Sequence, residues 1–165
     1  MINNIDMKVI LHDKAKRFAI RIIRLYQYLV NEQREYVMSK QILRSATSVG
    51  ANLHESINAQ SKADFIHKRS ISLKEADETQ YWLTLLFESE YINQELYSSL
   101  YTDIGEIIAM LSRSIKTAKR NLELEKKEKF EERMRYEKEM ILMRCPYCLL
   151  RREKEEGIRE KKEER

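Results

Sequence analysis

The stretch QILRSATSVGANLHES, residues 41–56, contains the clearest helical pattern in the sequence. Its apolar residues recur at intervals of four and three, so they share one face of a helix. They are Ile42, Ala46, Val49 and Leu53. Small and polar residues lie between them, among them Gly50, although glycine lowers helix stability by about 1 kcal/mol relative to alanine. Because small residues let a second helix approach closely, the stretch predicts a tightly packed helix.

The composition favours long helices over a sheet. The 165 residues include three glycines and one proline, too few breakers for a many-stranded fold. With 42% hydrophobic residues the chain can bury a core, and its length indicates one domain with an appendage. Charges interrupt the first residues, and no window is apolar enough for a membrane span. We therefore expect a cytoplasmic protein with no membrane partner.

Apolar spacing along the rest of the chain predicts four helices with tight connections. Helix one covers about residues 6–30, helix two follows Ser39 as its N-cap, helix three begins at 61–64, and helix four follows a turn at 91–93. The predicted core stripe of helix one comprises Leu11, Ala15, Phe18, Ile22, Leu25 and Leu29. The predicted inner face of helix three comprises Phe65, Ile66, Leu73, Ala76, Leu83 and Phe87. Helices of about 20–30 residues joined by short loops predict an all-α, antiparallel, up-down-up-down four-helix bundle.

A charged C-terminal extension, residues 123–165, follows the bundle domain, residues 1–122. We expect it to be partly a continuation of helix four to about Met143 and partly a charged tail. The bundle contains 17 basic and 14 acidic residues, and the extension 14 and 13. Neither excess is typical of a nucleic-acid-binding tail. A nucleic-acid surface would therefore need clustered cations, or repetition in an oligomer.

The bundle sequence resembles the bacterial four helix bundle protein family, also called 23S rRNA intervening-sequence proteins. The family pattern is a Gln-Ile-x-Arg-Ser start, a Ser-x-x-Ala-Asn-x-x-Glu continuation, and a capped lysine-rich helix with paired acids before an aromatic-Leu pair. The matching residues here are Gln41, Arg44, Ser45, Ser48, Ala51, Asn52, Glu55, Glu75 and Glu78. The resemblance covers about residues 10–122 and leaves the extension unexplained.

This resemblance implies a bundle that assembles as a ring-like homopentamer, with no enzymatic activity and no cofactor. Some relatives are encoded within insertions of ribosomal-RNA genes. More distant relatives are nucleic-acid-binding accessory proteins of reverse transcriptases. The implied partners are therefore further copies of the chain, RNA or DNA, and a reverse transcriptase or another protein.

Two basic helix faces are the first candidate site. The first basic face comprises Lys14, Arg17, Arg21 and Arg24, and the second basic face comprises Arg113, Lys116, Lys119 and Arg120. Both lie away from the predicted core, and cationic faces of this kind attract phosphate backbones without reading sequence. Because no aromatic residues interleave with them, base stacking is not expected. The alternative is a pair of solvated helix faces with no ligand.

A set of polar residues on helices two and three is the second candidate. It comprises Arg44, Ser48, Asn52, Glu55, Glu75 and Glu78. A di-metal site in a bundle needs Glu-x-x-His pairs, and none of the three histidines follows a glutamate at that spacing. We therefore interpret the set as a buried or subunit-bridging polar network that fixes helix register. We expect no metal site and no catalytic residues.

The motif Cys145-Pro146-Tyr147-Cys148 is the third candidate. A glutaredoxin-like redox role needs a βαβ setting that this sequence lacks. A second possible role for the motif is a zinc hook, in which two chains would supply four thiolates to one Zn²⁺. We favour a pair of reduced thiols instead, because Cys145 and Cys148 alone cannot fill a tetrahedral site.

Together these patterns predict a non-enzymatic homo-oligomer that binds RNA or DNA backbones through its basic helix faces. The rival hypothesis is a protein-interaction scaffold or adaptor with no nucleic-acid role, which presents its extension to another protein. A metal-dependent enzyme is a third class of function that remains open.

Overall fold

The structure is a computed structural model that describes residues 4–144, with side chains from Val9 to Ile141. The elements are α1 (Asn4–Asn31), α2 (Met38–Glu55), a 3₁₀ turn (Ser56–Asn58), α3 (Lys62–Glu88) and α4 (Gln94–Arg144). No strand occurs in this part of the chain. The predicted all-helical four-helix bundle is confirmed.

The chain divides into two compact units, Met1–Arg120 and Asn121–Arg165. The first unit contains α1, α2, α3 and the first part of α4. The described part of the second unit is the remainder of α4, in which Lys127 lies 3.9 Å from Glu131 and Arg133 lies 3.7 Å from Glu137. Sequence analysis placed the division after residue 122.

The core follows the predicted apolar stripes on α1 and α2. All six stripe residues of α1 are at most 4% exposed, and the four of α2 are fully buried. They are Leu11, Ala15, Phe18, Ile22, Leu25 and Leu29, with Ile42, Ala46, Val49 and Leu53. Burial of these side chains is the main term that stabilises the bundle, since each of the eight that are larger than alanine contributes about 1.5–3 kcal/mol when removed from water.

The inner face of α3 differs from its prediction because polar residues occupy part of it. Arg69, Ser72 and Thr79 are buried there, whereas Phe65 and Phe87, which we predicted to face inward, are only half-buried. The two hydroxyls are satisfied across the interface with α2. Ser72 Oγ donates to the Val49 carbonyl at 2.8 Å, and Thr79 Oγ1 donates to Ser45 Oγ at 2.9 Å.

Contacts between neighbouring helices show that the bundle is antiparallel. As residue numbers rise along one helix, the numbers of their partners fall along the next. The contacts are Ser45–Thr79 and Glu55–Lys68 between α2 and α3, Arg69–Ser114 and Phe87–Tyr97 between α3 and α4, and Lys14–Glu106 and Arg21–Ser99 between α1 and α4. The topology is therefore up-down-up-down.

The start of α2 is capped by Glu35, and the prediction that Ser39 is its N-cap was wrong. The Glu35 carboxylate accepts hydrogen bonds from the backbone N–H groups of Val37 at 2.9 Å, Met38 at 2.8 Å and Ser39 at 2.6 Å. Ser39 lies inside the helix, and its hydroxyl donates to the Glu35 carbonyl at 2.8 Å. A carboxylate reaches more of the free N–H groups of a helix start than a single hydroxyl can.

These bonds make Glu35 a pH-dependent contributor to stability. Burial acts to raise the pKa of Glu35, but the hydrogen bonds from Ser39, Met38 and Val37 outweigh it and lower the pKa below its ordinary value. The contribution is therefore fully present above the unfolded pKa of about 4.3 and is lost as the pH falls through the folded pKa.

Replacing Glu35 with Gln should lower the free energy of unfolding at pH 7 by about 1–2 kcal/mol, the usual cost of losing a helix cap. Chemical denaturation at pH 7 and at acid pH measures this, and the difference from the wild type should shrink as the pH falls. Glu32→Gln, an exposed change in the same loop, is the control and should cost less than about 0.5 kcal/mol. An equal loss in both variants would contradict the capping role.

Candidate nucleic-acid interface

Carboxylates neutralise three of the four cations of the first basic face. The pairs are Lys14 with Glu106, Arg17 with Asp13 at 2.8 Å, and Arg21 with Asp103. Arg24 is exposed and pairs with no carboxylate among the side chains of residues 9–141. Exposed ion pairs are individually weak, at about 0–1 kcal/mol, so a phosphate can compete with them. The first basic face nevertheless presents much less free charge than its sequence indicates.

The second basic face differs because no acidic residue accompanies it. All four of its cations are exposed, and none pairs with a carboxylate within the described side chains. The nearest acids along α4 are Glu106 and Glu123. Arg113 is partly ordered, since its Nε donates to the Ala109 carbonyl at 3.2 Å. Four positive charges therefore lie free on about two turns of one helix.

The two basic faces do not form one surface. The Lys14–Glu106 pair fixes how α1 and α4 align. Arg24 lies ten residues from Lys14 in one axial direction, and Arg113 lies seven residues from Glu106 in the other. At a rise of 1.5 Å per residue, Arg24 and Arg113 are about 25 Å apart along the bundle. A ligand at the second basic face therefore does not depend on the first.

A buried arginine, which sequence reasoning missed, lies at the same end of the bundle as the second basic face. Arg69 is 2% exposed, and its guanidinium lies 4.3 Å from the centre of the Phe65 ring. It donates to Ser114 Oγ, and its Nε lies 3.5 Å from Ser56 Oγ. No carboxylate pairs with Arg69 among residues 9–141. The burial of Arg69 could have been inferred from its position on the inner face of α3, three residues before Ser72.

Burial lowers the pKa of Arg69 from its ordinary value, but an arginine remains charged at neutral pH. Its charge also acts on His12 of α1. The pKa of His12 is lowered first by burial, then by repulsion from Arg69, and then by His54. His12 is therefore mainly uncharged at neutral pH and adds little to the positive potential at this end of the bundle.

Replacing Arg69 with Met should raise the pKa of His12, because one of the cations that lowers it is removed while the burial of His12 remains. Stability should stay equal or rise, since an apolar side chain of similar length suits a buried site without a counter-charge. NMR titration of the imidazole and chemical denaturation measure the two effects. Arg113→Met, which removes an exposed cation of α4, should leave the His12 pKa unchanged. The same shift in both variants would contradict the assignment.

The predicted polar network on α2 and α3 occurs as separate contacts. Arg44 lies 2.6 Å from Glu78, which also accepts from Trp82 Nε1 at 3.1 Å, and Glu55 lies 2.5 Å from Lys68. The side chain of Asn52 donates to the Ser48 carbonyl of its own helix at 2.9 Å. Glu75 has one buried carboxylate oxygen with no hydrogen-bond partner. The structure thus places all six residues on neighbouring helices without linking them into one network.

Two further observations concern the other candidate sites. Among the residues that the structure describes, no three His, Cys, Asp or Glu side chains cluster as metal ligands would. The candidate pair Cys145 and Cys148 lies outside the described residues. None of the described helices carries an apolar segment long enough to cross a membrane.

Comparison with known proteins places the bundle in a family. Residues 7–113 match the 23S rRNA-intervening sequence protein family. The chain belongs to this family. A solved structure from Bacteroides thetaiotaomicron VPI-5482, described as a protein of unknown function from the S23 ribosomal protein family, is 55% identical to this family member. The match has a TM-score of 0.66 and covers 67% of this chain and 98% of the other. No curated protein matches the chain.

Proposed function

We propose that this 23S rRNA-intervening sequence family member is a non-enzymatic, homo-oligomeric, cytoplasmic protein that binds the phosphate backbone of RNA or DNA. The second basic face carries the proposal, because its four cations are exposed and have no acidic neighbour between Glu106 and Glu123. The first basic face has a smaller role than its sequence indicates, since Lys14, Arg17 and Arg21 are paired. The described residues supply lysine and arginine contacts to phosphate, which position a nucleic acid without reading its sequence.

Self-association would multiply this surface. A symmetric ring repeats the second basic face once in each protomer, so a modest charge per chain becomes a large charge per assembly. The family resemblance implies a pentamer, and a reverse transcriptase or another protein as a further partner. Neither the pentamer nor this protein partner is inferred from the second basic face.

Two features of the bundle support contact with another copy. Ile20 and Ile23 of α1 are each 41% exposed, which leaves an apolar face on that helix. On the neighbouring α2, a Cβ at Gly50 would meet no atom within 4 Å. Nothing among residues 4–144 therefore requires glycine there. A helix that approaches from another copy would explain a residue that costs about 1 kcal/mol of helix stability.

Removing the free charge should weaken nucleic-acid binding. In a variant with Arg113→Gln, Lys116→Gln and Arg120→Gln, affinity for a structured RNA should fall by at least about tenfold at moderate salt, because three phosphate contacts are lost. Gel-shift titration measures the change. A control with Lys126→Gln, Lys127→Gln and Lys129→Gln removes the same number of charges from a part of α4 where glutamates lie alongside.

This control should change affinity by less than about threefold, since glutamates lie beside its lysines and leave no cluster of unpaired positive charge. Equal losses in the two variants would show that only total charge matters and would contradict the site. Unchanged affinity in the first variant would also contradict it.

Filling the open space at Gly50 should block self-association without harming the fold. Gly50→Leu should raise the stability of α2 by up to about 1 kcal/mol, because leucine is a better helix former. The same side chain would keep a second copy from approaching. Light scattering coupled to size exclusion gives the mass, and circular dichroism confirms the helix content. An oligomer of unchanged mass, or a wild-type protein that is already monomeric at micromolar concentration, would contradict the proposed contact.

The rival function is a protein-interaction scaffold. It is favoured by the exposed apolar residues in the second unit, where Phe130, Met134 and Ile141 recur on one side of α4 at spacings of four and seven. Salt separates the two functions, because phosphate binding weakens steeply as salt rises and apolar docking does not.

A further inference from the structure

An open depression of about 730 Å³ lies where the last turns of α1 meet the turn between α3 and α4. This is the opposite end of the bundle from the second basic face. Three aromatic side chains line it, Tyr28 of α1 with Phe87 and Tyr91 beside the turn. Two exposed carboxylates, Glu88 and Glu90, complete its rim. We call this feature the aromatic cup.

The walls of the aromatic cup are held in place by the chain itself. The turn is closed by two backbone hydrogen bonds, Glu90 N–H to the Phe87 carbonyl at 3.0 Å and Tyr91 N–H to the Leu86 carbonyl at 2.9 Å. Glu90 adopts a left-handed conformation with φ of 63°, which the two bonds impose. The Phe87 ring stacks on Tyr97 with centroids 4.4 Å apart. A ligand would therefore bind here without first ordering the site.

The charged side chains that line the aromatic cup are negative. Its lining contains two carboxylates and, within the described residues, no lysine, arginine or histidine. Glu95, in the first turn of α4, adds another negative charge close by. Phosphate groups are repelled by such a surface, so the nucleic acid proposed for the other end of the bundle is not a suitable ligand. A purely apolar ligand would leave the carboxylates without a partner.

We propose that the aromatic cup binds a lysine or arginine side chain in a basic segment of a partner protein. Aromatic ring faces attract such cations, and a neighbouring carboxylate adds an ion pair at the edge of the ring. The volume lies within the range of sites that take a small ligand and is large enough for one such side chain. The protein would thus hold nucleic acid at one end and a basic protein segment at the other.

The test uses a labelled peptide, Gly-Arg-Gly-Arg-Gly-Arg-Gly, and the same peptide with Gln in place of Arg. Fluorescence anisotropy with the full-length protein should show binding of the arginine peptide and at least about tenfold weaker binding of the glutamine peptide. Two variants remove the two parts of the site separately. Glu88→Gln with Glu90→Gln removes the charge, and Tyr91→Leu removes one aromatic face and keeps the charge.

Each of these variants should weaken the arginine peptide by about threefold or more, in line with the strength of one cation–ring or ion-pair contact. A matched control, Glu131→Gln with Glu132→Gln, removes two carboxylates from α4 and should have no effect. A loss in the control equal to that of Glu88→Gln with Glu90→Gln would show general attraction to acidic residues and overturn the proposal. So would full affinity in the Tyr91→Leu variant with its helix content intact.

The variant of the second basic face that lacks Arg113, Lys116 and Arg120 separates this proposal from the nucleic-acid function. It should bind the arginine peptide as the wild type does. Loss of RNA binding with retained peptide binding supports two independent sites. Peptide binding that disappears together with RNA binding would overturn the aromatic cup as a separate site.

Discussion

The ion pairs between α1 and α4 are the interaction on which the functional interpretation depends. Lys14 with Glu106 and Arg21 with Asp103 join the middle of α1 to α4. They have two consequences at once. They neutralise Lys14 and Arg21 of the first basic face. They also fix an alignment in which residues 113–120 of α4 lie beyond Lys14, toward the N-terminal end of α1. The unpaired cluster of residues 113–120 thereby lies at one end, whereas the unpaired Arg24 lies toward the other.

The two proposed sites consequently differ in charge. One end carries the second basic face together with the buried Arg69, and the other end carries Glu88 and Glu90 at the rim of an aromatic depression. Repulsion from Arg69 contributes to keeping His12 uncharged, so His12 adds little positive charge to the basic end near neutral pH. A protein built in this way can hold two ligands of opposite charge without competition between them, because the two proposed sites lie at opposite ends of the bundle.

The sequence predicted the helices and most of the core because apolar spacing is a local property. The stripes of α1 and α2 are buried residue for residue. The face of α3 was predicted less well, since Ser72, Thr79 and Arg69 are buried only because α2 and α4 supply partners for them. The first basic face was judged from one helix, whereas two of its carboxylate partners, Asp103 and Glu106, lie some eighty to ninety residues away in sequence. The cap at Glu35 and the aromatic cup depend on turn geometry, which spacing does not encode.

The salt dependence of duplex binding tests whether the unpaired cations of the second basic face, and not the ion-paired cations of α1, contact phosphate. The slope of log affinity against log salt counts the phosphates that are neutralised. Replacing Arg113, Lys116 and Arg120 with glutamine should make this slope shallower by about two to three units per bound protomer, while the same change at Lys14, Arg17 and Arg21 should leave it nearly unchanged. A slope that falls by the same amount in both variants, or only in the α1 variant, would contradict the account.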